Sequence, residues 1–142
     1  SSIGREYKTA RCKQGGMYRL SVSRDFISQH FLTLPNPRPG GEVHSHRFGV
    51  DVRLTAPELN EYGYVADIDA VNAALDDLEA RYRDALLNDL PEFEGLNPSV
   101  EHFARLFGDR FVEAAESAGT RELTVRIHEE DEAWASHERS LR

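Results

Sequence analysis

An alternation of apolar and polar side chains in the segment 44–54 constrains the fold of this chain more than any other feature. The even positions from 48 onward are apolar: Phe48, Val50, Val52 and Leu54. Charged residues stand at the odd positions 47, 51 and 53. A period of two predicts a β-strand with one buried face. His44 and His46 share the parity of the apolar residues, so we expect both imidazoles on that face, where side chains two apart can reach one ligand.

A third histidine, His30, ends a similar segment in which Tyr18, Leu20 and Val22 alternate with polar residues. A loop rich in proline and glycine, residues 35–41, connects the two predicted strands. Three imidazole nitrogens form the ligand set of many catalytic zinc sites, in which water or substrate takes the fourth position. We therefore predict that His30, His44 and His46 bind zinc. The alternative is that they are core histidines, each satisfied by a backbone carbonyl.

Two helices and one further strand are predicted after the second strand, which gives an α+β fold. Apolar residues recur at helical spacing in residues 67–82, and either Asp67 or Asp69 can cap the start of that helix. Ser99 is a predicted N-cap for a second helix with an apolar stripe. The stripe consists of Val100, Phe103, Ala104, Phe107 and Phe111. The last predicted strand covers residues 123–129.

Glu129 follows Leu123, Val125 and Ile127 on the apolar face of that last strand. A carboxylate is costly to bury unless another group pairs with it, so Glu129 is a candidate functional residue. The alternative is that the strand ends at Ile127 and that Glu129 is solvated with the acidic residues that follow it.

Composition limits the classes of function. The 142 residues carry a formal net charge of −8 without a basic cluster, which disfavours nucleic-acid binding. No apolar run approaches the roughly 20 residues of a membrane span, so we expect a cytoplasmic protein. We predict a flexible leader, residues 1–16, before one domain, residues 17–142. Cys12, the only cysteine, lies in the leader and is interpreted as a surface thiol.

Several segments, in this order along the chain, resemble the family of 6-pyruvoyl tetrahydropterin synthase and 6-carboxytetrahydropterin synthase. The segment 26–30, FISQH, is similar to the family's F-S-A-A-H, and the segment 44–48, HSHRF, to its H-G-H-S-F. The segments 63–68 and 86–89 resemble G-M-V-x-D-F and Y-L-N-D. Residues 97–101, NPSVE, resemble N-P-T-x-E, and residues 125–129 resemble V-x-V-x-E.

This resemblance implies a tunnelling fold, an antiparallel four-stranded sheet with two helices packed on one face, assembled as a ring-like homohexamer. It also implies zinc on the three histidines and a pterin substrate whose 2-amino-4-oxo edge is bound by Glu129. Ser99, in the Asn-Pro-Ser segment, is implied as a second substrate-binding residue. The expected substrate is a dihydropterin with a polyol side chain, often a triphosphate.

Three positions depart from the family pattern. Gly40 stands where the family has a proton-transferring cysteine, and Arg83 and Asp84 replace its Asp-His pair. Glu42, which has the parity of His44, and Asp84 are therefore our candidates for the catalytic acid and base. We expect a zinc-dependent lyase that eliminates or cleaves a dihydroneopterin-like side chain. The alternatives are a member that binds zinc and pterin without turnover, and a structural metalloprotein.

Overall fold

A computed structural model describes residues 16–36 and 38–142 of the chain. Four strands and two helices follow in the order β1 (Tyr18–His30), β2 (His44–Ala56), α1 (Ile68–Tyr82), α2 (Val100–Ser117), β3 (Glu122–Glu129) and β4 (Ala133–Ser140). The predicted leader lies outside the described residues except for Gly16, and so does Cys12.

The sheet is antiparallel with the strand order β1-β2-β3-β4. The first two strands are paired over their whole length, from Tyr18 opposite Ala56 to His30 opposite His44. The predicted alternation is confirmed, because Phe48, Val50, Val52 and Leu54 are buried and the residues between them are half-buried. The register of this hairpin therefore brings the histidine ends of the two strands together.

Both helices cover the apolar face of the sheet and begin at predicted caps. The side chain of Asp67 accepts a hydrogen bond from the N–H group of Asp69, and Ser99 Oγ accepts one from the N–H group of His102. The helices bury one shared set of apolar residues, which includes Val71, Leu75, Leu78, Tyr82, Phe103, Phe107 and Phe111. No helix in the described part of the chain is long and apolar enough to cross a membrane.

The four-stranded sheet implied by the family resemblance is confirmed, but the residue pattern alone did not locate strand β4, because it placed the last strand at residues 123–129. Its residues, AWASHERS, contain no β-branched aliphatic side chain, so they lack the usual sequence signal of a strand. Pairing with β3 and contacts of two side chains hold it instead. Arg139 forms an ion pair with Asp109 of α2 at 2.9 Å, and the guanidinium of Arg126 lies 4.5 Å from the centre of the Trp134 ring.

Aromatic rings fill the core directly beneath the histidine end of the sheet. Phe48 packs edge-on against Phe103 with ring centroids 5.3 Å apart, and Tyr82 packs against Phe103 at 5.0 Å. Phe48 also lies edge-on to His30 and His46, with centroids 5.8 and 5.9 Å away. The rings of His30 and His46 therefore pack directly on the aromatic core.

Candidate metal centre and active site

The three predicted histidines form one cluster. His30 and His44 face each other across the β1–β2 ladder, and His46 lies two residues further along β2. The three rings have centroids 4.6 to 5.2 Å apart, and one potential ligand atom from each lies within 4.8 Å of the others. The strand register thus accounts for the predicted convergence.

Each ring has one nitrogen engaged by an oxygen atom outside the cluster. Nδ1 of His30 lies 2.9 Å from the carbonyl oxygen of Pro98, and Nδ1 of His44 lies 2.7 Å from that of Glu42. Nδ1 of His46 is 3.4 Å from Oε2 of Glu130. Carbonyl oxygens only accept hydrogen bonds, so in the neutral rings of His30 and His44 these contacts place the proton on Nδ1 and leave Nε2 without one. His46 instead has a carboxylate near each nitrogen, because Oε2 of Glu129 lies 3.2 Å from its Nε2.

His30 provides the test of whether a metal fits. Its side chain is 2 % exposed, and its Nε2 is the one buried side-chain nitrogen or oxygen in the described residues that has no hydrogen-bond partner. Burial lowers the pKa of His30, so the ring is neutral near pH 7. A buried, unprotonated nitrogen beside two other imidazoles is a donor set suited to zinc.

Glu129 lies beside two of the three histidines. Its Oε2 is 3.2 Å from Nε2 of His46 and 3.5 Å from Nε2 of His30. Strand β3 continues through Glu129, which pairs with Phe48, and its side chain is 27 % exposed. The carboxylate is therefore neither fully solvated nor fully buried, and both its histidine neighbours approach it through Nε2.

A cavity of about 310 Å³ opens above the cluster. It is lined by the three histidines and Glu129 together with Leu32, Asn97, Ser99, Val100 and Glu101. Two hydrogen bonds hold Asn97 in the turn before α2. Its carbonyl accepts from Nδ1 of His102 at 2.7 Å, and its side chain accepts from the N–H group of Thr33. Ser99 therefore both caps α2 and lines the cavity.

The two candidate acid/base residues are not among the described residues that line this cavity. β2 begins at His44, so the strand does not extend back through Glu42, whose side chain is exposed. Asp84 is also exposed and has a left-handed backbone with φ of 60°. Its N–H group donates to the carbonyl of Ile27 at 2.6 Å, which places it at the outer edge of β1.

Gly40, at the position of the family's cysteine, packs against Leu32. A Cβ atom at Gly40 would lie 2.5 Å from Cδ1 of Leu32, and the N–H group of Leu32 donates to the Gly40 carbonyl at 2.7 Å. The Leu32 side chain therefore occupies the space that any larger residue at position 40 would need. Arg83, the third position that departs from the family pattern, forms an ion pair at 3.6 Å with Glu79 of α1.

The sequence did not predict the roles of Pro98 and Glu130 at the site. The carbonyl of Pro98 orients His30 from a turn 68 residues away, and a backbone acceptor leaves no side-chain signal. Glu130 was read as part of an acidic run and became recognisable only once β3 was seen to end beside His46. Acidic runs are usually solvated, so composition alone could not single it out.

Comparison with known proteins places these features in a family. Residues 19–140 match the family model of 6-pyruvoyl tetrahydropterin synthase. An Archaeoglobus fulgidus protein, described as a candidate 6-carboxy-5,6,7,8-tetrahydropterin synthase, is 28% identical over 117 residues, which is 82% of this chain and 91% of that protein.

Solved structures show the same α+β fold at low identity. A Plasmodium vivax 6-pyruvoyltetrahydropterin synthase in which a catalytic glutamate is replaced by cysteine gives a TM-score of 0.73 at 15% identity, covering 88% of this chain and 99% of that one. The Caenorhabditis elegans 6-pyruvoyl tetrahydropterin synthase gives 0.70 at 15% identity, covering 87% and 96%. The four-stranded antiparallel sheet, its two helices and the extent of the family match agree, and the chain belongs to the 6-pyruvoyl tetrahydropterin synthase family.

Proposed function

We propose that this chain is a zinc-dependent pterin-pathway enzyme that eliminates or cleaves the side chain of a dihydroneopterin-like substrate, with or without its triphosphate. The observation that carries the proposal is the buried, unpartnered Nε2 of His30 within a cluster of three histidines whose Nδ1 atoms are all engaged. Zinc bound by these rings would supply Lewis-acid polarisation of a substrate oxygen.

Glu129 is the proposed pterin anchor. A carboxylate can accept two parallel hydrogen bonds from the N–H groups of a 2-amino-4-oxo ring edge. Its side chain is part of the cavity wall, where a bound ring could reach it. Ser99 Oγ accepts one hydrogen bond as a helix cap and keeps its own proton, which it can donate to the substrate.

Proton transfer is proposed for Glu42 and Asp84, which have the right chemistry at exposed positions. The Glu42 carbonyl already contacts His44, so its side chain starts from the rim of the cluster. In the Plasmodium vivax protein described above, the residue replaced by cysteine is a catalytic glutamate, which supports this residue type in the reaction.

Assembly into a homohexamer is proposed as well. β1 and β4 are the edges of the sheet, and in the described part of the chain only the His30 end of β1 is covered, by residues 84–86. Uncovered strand edges are suited to pairing with another copy.

The contact between Glu129 and the histidines supports a second candidate, a structural site in which this carboxylate is a fourth ligand. A third reading is a family member that binds zinc and pterin without turnover. Incubating the zinc-loaded protein with dihydroneopterin, its triphosphate and 6-carboxytetrahydropterin, followed by resolution of the products, distinguishes the enzyme from both of these alternatives. A pterin with a shortened or eliminated side chain supports the enzyme, and three unchanged pterins contradict it.

A further inference from the structure

Glu130 occupies an unusual backbone conformation beside the histidine cluster. It is the first residue after β3, and its φ of 56° lies in the left-handed region, which non-glycine residues rarely adopt. Consecutive side chains of a strand point to opposite faces of the sheet. The left-handed turn breaks that alternation, so the side chains of Glu129 and Glu130 both approach the ring of His46.

Two hydrogen bonds to the backbone of Arg47 hold Glu130 in this position. Its N–H group donates to the carbonyl of Arg47 at 3.0 Å, and the N–H group of Arg47 donates back to Oε2 of Glu130 at 3.0 Å. The carboxylate thus completes the β2–β3 ladder one residue beyond the last strand pair, Phe48 with Glu129. The same oxygen, Oε2, lies 3.4 Å from Nδ1 of His46.

The three histidines differ in what orients them. His30 and His44 each donate from Nδ1 to a backbone carbonyl, whose position is fixed by the fold. His46, which is 26% exposed, has only side-chain carboxylates for the same task, Glu130 at Nδ1 and Glu129 at Nε2, and Glu130 is the one that can hold Nε2 toward the other rings. A substitution at position 130 can therefore release one ring of the cluster while the other two remain oriented.

We propose that Glu130 is a positioning residue of the metal centre: its carboxylate fixes His46 in the tautomer with the proton on Nδ1, so that Nε2 faces the other two rings. This inference rests on the metal site of the proposed function. Carboxylate partners of ligating histidines commonly contribute 10- to 100-fold to metal affinity.

The test compares Glu130→Gln, Glu130→Asn and the control Glu132→Gln. Glutamine keeps the length and one oxygen acceptor for Nδ1–H. Asparagine tolerates the left-handed backbone but is one methylene too short to reach His46. Glu132 is a nearby exposed carboxylate of the same acidic turn, so its variant reports the loss of one charge alone.

Two readouts are required, together with a melting curve to verify folding. Nitrogen-15 NMR of the metal-free protein reports which nitrogen of His46 carries the proton, and competition with a chelator gives the zinc affinity. We expect Nδ1–H in the wild type, a mixture of tautomers in Glu130→Asn, and a 10- to 100-fold weaker zinc affinity in that variant only. Glu130→Gln should keep most of both.

Wild-type zinc affinity and an Nδ1–H tautomer in Glu130→Asn would overturn the inference, and so would an Nε2–H tautomer in the wild type. Failure of the proposed function has a different signature. A wild-type protein that binds no zinc would overturn the metal site itself, and the tautomers of the metal-free variants would still show whether Glu130 orients His46.

Discussion

Oε2 of Glu129 lies 3.2 Å from Nε2 of His46, so the proposed pterin anchor and a proposed metal ligand share one small volume. The same oxygen is 3.5 Å from Nε2 of His30. Whether Glu129 binds the metal or the substrate therefore decides whether the cluster is open to a substrate or closed by a fourth protein ligand.

Replacing Glu129 by glutamine separates these two states. The variant keeps the shape of the side chain but exchanges one acceptor for a donor, so pterin binding should weaken by about 1.5–3 kcal/mol, the value of a charged hydrogen bond. Fluorescence titration with a dihydropterin and elemental analysis for zinc measure the two effects. Unchanged zinc content with weaker pterin binding supports the anchor, whereas unaltered pterin affinity would place the anchor elsewhere.

His46→Ala removes one of three proposed ligands and should abolish stoichiometric zinc binding. Zinc should then no longer raise the melting temperature of the variant, because ligand binding stabilises only a folded state that can bind. His128→Ala is the matched control, since His128 lies on the other face of the sheet, 3.6 Å from Asp51. Full zinc occupancy in His46→Ala would contradict the assignment of the site.

The sequence predicted the elements that depend on strong periodicity and local caps. Alternation at residues 44–54 placed His44 and His46 on one face, and Asp67 and Ser99 cap the helices as expected. Contacts that depend on the fold were not predictable. Neither the Pro98 carbonyl that orients His30 nor the ion pair that holds β4 has a local sequence signal. Glu42 shares the parity of His44, but β2 begins at His44, so the strand does not direct the Glu42 side chain toward the cluster.

Glu42→Gln tests the proposed acid/base group. Because the contact to His44 comes from the backbone carbonyl of Glu42, the variant should retain zinc and pterin binding. Turnover should fall by about 10²- to 10⁴-fold, as is typical when a general acid or base is lost. Rates measured under saturating pterin, with zinc content determined on the same sample, check this result. Wild-type turnover in Glu42→Gln would move the role to another residue, of which Asp84 is the next candidate.

Glu92 is expected to control stability in acid. It accepts hydrogen bonds from Arg81 and from the buried Tyr82 hydroxyl, and the bond from Arg81 is the main reason that its pKa is lowered from 4.5 to about 2. Folding stability from this group is complete above the unfolded pKa near 4.5 and is lost as the pH falls toward 2.

The variant Glu92→Gln should therefore lose about 2–3 kcal/mol of unfolding free energy at pH 7, and the difference from the wild type should shrink between pH 4.5 and pH 2. Denaturant unfolding at a series of pH values measures this difference. Glu94→Gln, at an exposed position two residues away, is the control and should behave as the wild type. A difference that is independent of pH would show that the network does not act through the charge of Glu92.

Whether the three histidines leave one metal position open to a pterin is tested most directly by the visible spectrum of the cobalt-substituted protein before and after addition of dihydroneopterin triphosphate. Cobalt(II) reports its own coordination, so a site of three histidines with one position open to substrate should change its spectrum when the pterin binds. We expect that change in the wild type and its loss in His46→Ala. A cobalt spectrum that is unaffected by saturating pterin in the wild type but altered by Glu129→Gln would contradict it, because Glu129 would then be a permanent fourth ligand.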